Sequence, residues 1–190
     1  MGSAIAIFSW LSISGLIRGR HEGSAAVNKI AYLTPYFAVT GALQPDEFAE
    51  VAALGFKSVL SNLPDGESRK YPSAAEEAAL AKAAGLGFRH VPTIKSEVFS
   101  DRVVDEVGQV LHELDGPVLA HCASGLRSAI AWAAAAARSQ PADCVIAALK
   151  DAGFDLAAIR DELEEQRREG RAAMLPPALD CRCGEGAGSV

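Results

Sequence analysis

The sequence predicts an α/β fold in which a central, mainly parallel sheet is flanked by helices. From about residue 28 onward, short apolar runs alternate with longer segments of helical periodicity. Start and stop signals bound these segments, such as the capping pattern Ser73-Ala74-Ala75-Glu76 and the helix-ending Gly85. Parallel strands joined by crossover helices bring their carboxyl ends to one edge of the sheet. Ligands of open α/β sheets bind at that edge.

Each element can be placed in chain order from these signals. The predicted strands are 29–33, 36–40, 58–60, 88–91 and 117–120, the last being central. The predicted helices begin near Gln44, at Ser73, at Ser100 or Asp101 and before Ala129, and two more cover 142–152 and 156–169.

Length and composition favour one domain with extensions. We predict an apolar N-terminal extension over 1–27, a catalytic domain over 28–169 and a flexible, glycine- and proline-rich tail over 170–190. The net charge of −6 and the absence of a basic stripe argue against nucleic acid as a partner. The cysteines at 122, 144, 181 and 183 have the spacing of neither a disulfide scaffold nor a zinc site, so we expect a reducing compartment and no cofactor or metal.

The N-terminal segment leaves two alternatives open. Residues 4–17 carry no charge, and Arg18 and Arg20 follow them. The run is shorter than the roughly 20 residues of a spanning helix, and its positive charge lies on the wrong side for a secretory signal. It is either a membrane-associating segment or, more simply, an upstream extension or an extra apolar helix packed on the domain. Both alternatives leave the domain in the cytoplasm.

The most informative segment is His121-Cys122-Ala123-Ser124-Gly125-Leu126-Arg127-Ser128. It connects a buried strand to a helix, and the N-terminus of a helix stabilises a thiolate or an oxyanion. The segment therefore predicts Cys122 as a nucleophile and Arg127 as the side chain that holds an anion. The loop residues expected to line the anion site are Ala123, Ser124, Gly125, Leu126 and Ser128.

Loop length distinguishes two classes of cysteine enzyme. Tyrosine and dual-specificity phosphatases carry Cys-x5-Arg, whereas rhodanese-type sulfur transferases carry Cys-x4-Arg. Here Arg127 lies five positions after Cys122, so the loop has the rhodanese length, and Ser128 stands where a phosphatase has arginine. A narrower ring of N–H donors suits a persulfide sulfur better than a phosphoryl group.

A phosphatase also needs a general acid, and sulfur transfer does not. The segment 92–101 contains Glu97 and Asp101, but no acid directly follows the strand. Asp101 is more simply explained as a helix cap. The sequence therefore favours sulfur transfer.

The residues around Cys122 and Arg127 each have more than one interpretation. Ser124 and Ser128 either donate to the thiolate or cap the helix, and Gly125 supplies a special backbone conformation. His121 either orients the loop or is a buried structural histidine. Three further predictions concern single sites: His90 is a core residue, Asp65 and Glu67 form a turn that faces the site, and Cys144 is structural. Cys181 and Cys183 are accidental exposed thiols or acceptors of sulfur from Cys122.

Residues from about 28 to 165 resemble the bacterial family named beta-lactamase-hydrolase-like protein, phosphatase-like domain. The resemblance rests on four segments: 39–45, 62–67, 72–76 and 121–128. It implies a protein-tyrosine or dual-specificity-phosphatase-like fold with a rhodanese-length loop. Members are labelled phosphatases or sulfur transferases, and some are fused to persulfide-oxidising metallo-hydrolase domains. No metal-binding histidine cluster occurs here, so we expect the stand-alone form.

The chain departs from the family at three positions. The family usually has arginine at the position of Leu63, and commonly arginine and threonine at those of Ala123 and Leu126. Fewer positive groups weaken the case for a highly charged substrate. The main hypothesis is a sulfur transferase that carries sulfane sulfur on Cys122, with a small sulfur donor and acceptor and with a persulfide-oxidising enzyme as a further partner. The alternatives are a phosphatase with a Cys122 phosphoenzyme, and a non-enzymatic sensor of anions or reactive sulfur.

Overall fold

The computed structural model describes residue 27, residues 29–170 and residues 176–181. The strands are β1 (Ala31–Thr34), β2 (Phe37–Thr40), β3 (Ser58–Ser61), β4 (Gly87–His90) and β5 (Val118–His121). The helices are α1 (Glu47–Ala53), α2 (Ala74–Ala83), α3 (Asp101–Glu113), α4 (Leu126–Ala137), α5 (Ala142–Asp151) and α6 (Arg160–Glu169). Short 3₁₀ turns cover Lys95–Glu97, Ala157–Ile159 and Pro177–Leu179.

The sheet has the order β1-β2-β5-β3-β4, and β5 lies in its centre. β1 and β2 form an antiparallel hairpin, while β5 pairs in parallel with both β2 and β3, and β3 pairs in parallel with β4. The prediction of a mainly parallel α/β sheet is therefore confirmed. Because β5 is central, the residue that follows it emerges in the middle of the carboxyl edge.

Helices cover both faces of the sheet. Alternation along the strands directs Leu119 and Val59 into a core shared with α1 and α2, and Ala120 and Leu60 into a larger core formed with α3 to α6. The predicted cap of α2 is present, because Ser73 and Glu76 form a reciprocal capping box.

Helix α4 is the central helix of the larger core. Its alanine-rich sequence allows close packing, and every residue from Ala131 to Ala137 is buried. Trp132 stacks on Phe37 of β2 with 6.0 Å between ring centroids. These contacts fix the direction of α4 and hence the place of its N-terminus beside the end of β5.

The C-terminal segment differs from the predicted flexible tail. Residues 176–181 pack on the domain, where Ala178 and Leu179 are buried and the Ala178 carbonyl accepts a hydrogen bond of 2.8 Å from Trp132 Nε1. The buried indole N–H needs an acceptor, and this segment supplies it. The predicted apolar segment 4–17 lies outside the described residues. Within the described ranges, no helix combines the length and apolarity needed to cross a membrane.

The cysteines outside the loop also differ from the prediction. Cys144 is disulfide-bonded, whereas the spacing predicted no disulfide. The Cys181 sulfur lies 2.7 Å from the Cys144 sulfur, and this contact is not itself the disulfide. Cys144 follows the C-terminus of α4, whose 12 residues span about 18 Å, while Cys122 precedes its N-terminus. Cys181 is therefore remote from Cys122 within one molecule and is not placed to accept its sulfur. Cys183 lies outside the described residues.

Candidate active site

Cys122 lies at the carboxyl edge of the sheet, between the last residue of β5 and the loop that opens α4. Its side chain is buried, whereas Ala123, Ser124 and Leu126 are exposed around it. A thiol at the base of a short loop is accessible only to a small group that enters the loop. This arrangement follows from the central position of β5 and from the close packing of α4.

The loop bends at Gly125, which is the N-cap of α4 with a φ of +84°. A Cβ at this position would lie 3.0 Å from the Thr40 carbonyl oxygen, so glycine also permits the close approach of β2. In the described part of the chain, no backbone carbonyl accepts a hydrogen bond from the N–H groups of residues 123 to 127. Backbone donors without acceptors at the N-terminus of a helix, together with the helix dipole, favour the binding of an anion.

Arg127 extends from the first turn of α4 and is fixed by the two neighbouring loops. Its Nη1 donates to Glu67 Oε2 at 2.7 Å and to the Thr93 carbonyl at 2.8 Å, and its Nη2 donates to Glu67 Oε1 at 2.5 Å. A guanidinium has five N–H donors, and these bonds use both of Nη1 and one of Nη2. The Nε–H and the second Nη2 hydrogen take no part in these three bonds, and together they form a fork that matches an oxyanion.

The electrostatic surroundings of Arg127 keep it charged. Burial lowers the pKa of the guanidinium, but a hydrogen bond with Glu67 and the charges of Cys122 and Glu67 raise it above its ordinary value. A hydrogen bond with Cys122 acts in the same direction. Arg127 is therefore a permanent cation beside the thiol.

Glu67 binds Arg127, and the sequence did not predict this role. The turn 64–67 does face the site, but its two acids act differently. Asp65 Oδ1 accepts a hydrogen bond of 2.7 Å from the Ala74 backbone N–H and so supports the start of α2. Glu67 instead reaches Arg127. The only sequence signal for this pair was an acidic turn after a buried strand.

The predicted supporting residues have distinct positions. His90 is half-buried rather than a core residue, and its Nε2 lies 2.9 Å from the Leu63 carbonyl oxygen, which anchors the loop that carries Glu67. Gly125, not Ser124 or Ser128, is the N-cap, and no side chain caps α4. Ser128 is buried, and its hydroxyl has no partner among the described residues.

The acids considered as proton donors are engaged elsewhere. Glu97 binds Arg102 at 2.9 Å, and Asp101 binds Arg138 at 2.6 Å. Arg138 is the C-cap of α4, at the opposite end of that helix from Cys122. Asp101 is therefore not a supporting residue of the loop, and the cap of α3 is Ser100. Its predicted capping role is also wrong, because Asp101 is the first residue inside the helix.

The fold and the cysteine loop define the class of the protein as a phosphatase-like domain. Residues 29–139 match the family model described as beta-lactamase hydrolase-like protein, phosphatase-like domain. The chain belongs to this family. The resemblance noted from the four sequence segments is thereby confirmed.

Curated relatives carry the same family name. The chain is 31% identical over 105 residues to the beta-lactamase hydrolase-like protein of Xylella fastidiosa strain Temecula1, covering 55% of this chain and 24% of that protein. It is 32% identical over 123 residues to that of Agrobacterium fabrum strain C58, covering 63% of this chain and 28% of that protein. The chain thus spans about a quarter of the length of these relatives.

Solved structures share the fold. A protein of Neisseria meningitidis provisionally assigned as a phosphatase superposes with a TM-score of 0.63 at 28% identity, covering 73% of this chain and 98% of that chain. Kinase-associated phosphatase with its catalytic-site cysteine replaced by serine gives 0.59 at 16% identity, covering 80% and 100%. The domain therefore has the protein-tyrosine and dual-specificity phosphatase fold.

Proposed function

We propose that this domain is a cysteine-dependent phosphatase-like hydrolase that acts on phosphate monoesters through Cys122. The observation that carries the proposal is the run of backbone N–H groups after Cys122 that have no carbonyl acceptor among the described residues, next to the edge of Arg127 that Glu67 and Thr93 leave open. A tetrahedral dianion needs several converging donors and a fixed cation, and this loop supplies both. The phosphatase family and fold support the same choice.

The reaction has two displacement steps. The Cys122 thiolate attacks phosphorus, so that an S–P bond forms and the ester P–O bond breaks. Water then attacks the phosphocysteine, the S–P bond breaks, and inorganic phosphate and the thiolate are released. Arg127 and the loop N–H groups bind the equatorial oxygens in both steps.

The positions of the acids restrict the substrates. Asp65, Glu97 and Asp101 each have another partner, and Glu67 is bound to Arg127. None of these four acids is placed to protonate a leaving oxygen, which therefore takes its proton from water. Phosphates of acidic alcohols such as phenols should react much faster than phosphates of alkyl alcohols.

The test is hydrolysis of aryl phosphates of graded phenol acidity by the full chain. We expect a steep dependence on the leaving group, inhibition by vanadate, and complete loss in Cys122→Ser. Cys181→Ser is the matched control, because Cys181 lies at the far end of α4. Inertness toward all aryl phosphates, or activity that survives in Cys122→Ser, would refute the proposal.

Sulfur transfer is the second candidate, and the short Cys-x4-Arg spacing favours it. In this reaction the Cys122 thiolate attacks the sulfane sulfur of thiosulfate, sulfite leaves, and a persulfide forms. Cyanide then takes the outer sulfur as thiocyanate. Incubation with thiosulfate should add about 32 Da to the wild type and nothing to Cys122→Ser. Absence of both the adduct and thiocyanate would remove this candidate.

A further inference from the structure

An open groove lies between the start of α1, the loop after β3 and helix α2. Its volume is about 610 Å³, which is within the range of binding sites for small ligands. Gln44 and Pro45 line the groove on the α1 side, and Leu80 lines it from α2. The loop side consists of residues 69–72, which include two cations and an aromatic ring. No residue that lines this groove takes part in the proposed reaction.

The loop side of the groove is built from two consecutive β-turns. The first turn covers 64–67 and ends at the acid that binds Arg127. The second turn covers 68–71, and its last N–H donates to its first carbonyl at 3.4 Å. Its two central residues are Arg69 and Lys70, and both are exposed. Because two residues of chain span at most about 7 Å, Arg69 begins close to the contact that fixes Arg127.

The opposite side of the groove also begins at the cysteine loop. A Cβ on Gly125 would lie 3.0 Å from the Thr40 carbonyl oxygen, so the end of β2 borders the loop. Gln44 and Pro45 follow Thr40 after a short connection. Both sides of the groove therefore start from residues that touch the cysteine loop or its arginine, at the carboxyl edge of the sheet. A molecule whose phosphate enters the loop can extend into the groove.

The groove carries an excess of positive charge. In the part of the chain that the structure describes, no carboxylate forms an ion pair with Arg69 or Lys70. The acid that borders the groove is Glu76, whose carboxylate accepts hydrogen bonds of 2.7 Å from the backbone N–H and the hydroxyl of Ser73. Glu76 is thus held in the cap of α2 and takes no part in binding a ligand. Two cations against one acid leave one positive charge in excess, which suits a carboxylate better than a dianionic phosphate.

Apolar surface lies next to these cations. Tyr71 and Pro72 line the groove on the loop side, and Pro45 and Leu80 line it on the helix sides. Tyr71 and Pro72 are half-buried, so packing restricts their positions. An aromatic ring of a ligand can pack against the ring of Tyr71 and the prolines. The groove therefore matches a molecule that joins an aromatic body to a carboxylate.

We propose that this groove binds the leaving group of the substrate and selects aryl phosphates that carry a carboxylate. The inference deepens the proposed function and rests on it for the phosphate that occupies the cysteine loop. Since the leaving oxygen lies in line with the attacking sulfur, the aryl group projects out of the loop at the carboxyl edge, where the groove lies. There Tyr71 contacts the ring, and Arg69 and Lys70 bind the carboxylate. These residues determine specificity and do not touch the reacting phosphorus.

The test is calorimetric titration of the full chain with two benzylphosphonates, which resemble a phosphate ester but cannot be hydrolysed. One probe carries a carboxylate at the para position, and the other carries a neutral carboxamide of nearly the same shape. We expect the carboxylate probe to bind about fivefold more tightly, as for an exposed ion pair. In about 1 M salt, where exposed charges are screened, the two probes should bind equally.

The double variant Arg69→Gln/Lys70→Gln should lose the preference for the carboxylate and keep its affinity for the carboxamide. The matched control is Lys57→Gln/Lys82→Gln, which removes the same charge from two exposed lysines. Lys57 precedes β3 and Lys82 lies in the last turn of α2, so both are at the opposite edge of the sheet. This control should retain the fivefold preference.

Several results would overturn the inference. Equal affinity of the two probes for the wild-type chain would do so without any variant, as would binding of neither probe. A preference that persists in Arg69→Gln/Lys70→Gln, or that the control loses to the same extent, would show that the groove does not select the carboxylate. Because the probes are not hydrolysed, failure of the hydrolase proposal is seen separately, as inertness toward aryl phosphates.

Discussion

Glu67 and Arg127, separated by 60 residues in sequence, form a two-point contact in which both carboxylate oxygens bind the guanidinium at 2.7 and 2.5 Å. The contact joins the loop after β3 to the first turn of α4. Because the contact with Glu67 does not use the Nε–H or the second Nη2 hydrogen, it positions Arg127 without occupying the anion-binding fork.

Replacement of Glu67 should therefore impair the binding of the anion. In Glu67→Gln, we expect kcat/KM for an aryl phosphate to fall about 10-fold, which corresponds to about 1.4 kcal/mol and is modest because Glu67 is 35% exposed. The fall should appear mainly as a higher KM. Steady-state kinetics test this, with Glu76→Gln as the control on the adjoining helix. An unchanged KM would show that Glu67 does not position Arg127.

Gly125 should tolerate a side chain poorly for two separate reasons. Alanine in a left-handed conformation costs about 1–2 kcal/mol, and here the Cβ also meets the Thr40 carbonyl at 3.0 Å. Gly55→Ala measures the cost of the left-handed conformation alone, because the φ of Gly55 is +95° and no atom lies within 4 Å of an added Cβ. Urea unfolding should give a larger loss for Gly125→Ala than for Gly55→Ala. Equal losses would show that β2 does not constrain the loop.

The capping box at the start of α2 predicts a pH dependence of stability. Hydrogen bonds from the backbone and the side chain of Ser73 lower the pKa of Glu76 below 4.5. A carboxyl group with a lowered pKa in the folded state stabilises the fold above its unfolded pKa, and that contribution disappears as the pH falls through the folded value.

Glu76→Gln should accordingly reduce Tm at pH 7 by a small amount, and the difference from wild type should vanish in strongly acidic solution. Thermal unfolding between pH 2 and pH 7 measures this, with Glu164→Gln on α6 as a control. A difference that is independent of pH would mean that the charge of Glu76 contributes nothing to the cap.

The C-terminal segment should stabilise the domain through Trp132. Removal of residues 171–190 deprives the indole N–H of its acceptor, the Ala178 carbonyl, and exposes the surface that Ala178 and Leu179 cover. Leaving a buried donor unsatisfied costs about 1–3 kcal/mol. The control is a chain that ends at residue 181. The free energy of unfolding of both shortened chains is measured in urea under reducing conditions. Equal stability of the two chains would contradict the structural role of 176–181.

The local features of the protein can be predicted from its amino-acid sequence. Periodicity and caps placed the helices and strands close to their observed bounds, because they act over a few residues. The place of Cys122 and Arg127 at one strand-to-helix junction follows from the apolar strand before them and the helical segment after them. The antiparallel pairing of β1 and β2 is also a local feature, because only a short turn separates the two strands.

Which side chains meet across long distances in sequence depends on the packing of the whole domain. Glu67 rather than Asp65 reaches Arg127, Asp101 binds Arg138 away from the loop, Glu77 faces His121, and Cys181 lies against Cys144. Each of these contacts depends on how a helix packs on the sheet or on another helix, and that packing is set by the whole core. The spacing of residues along the chain does not reveal this packing, so the partners of the acids could not be predicted from their positions in sequence.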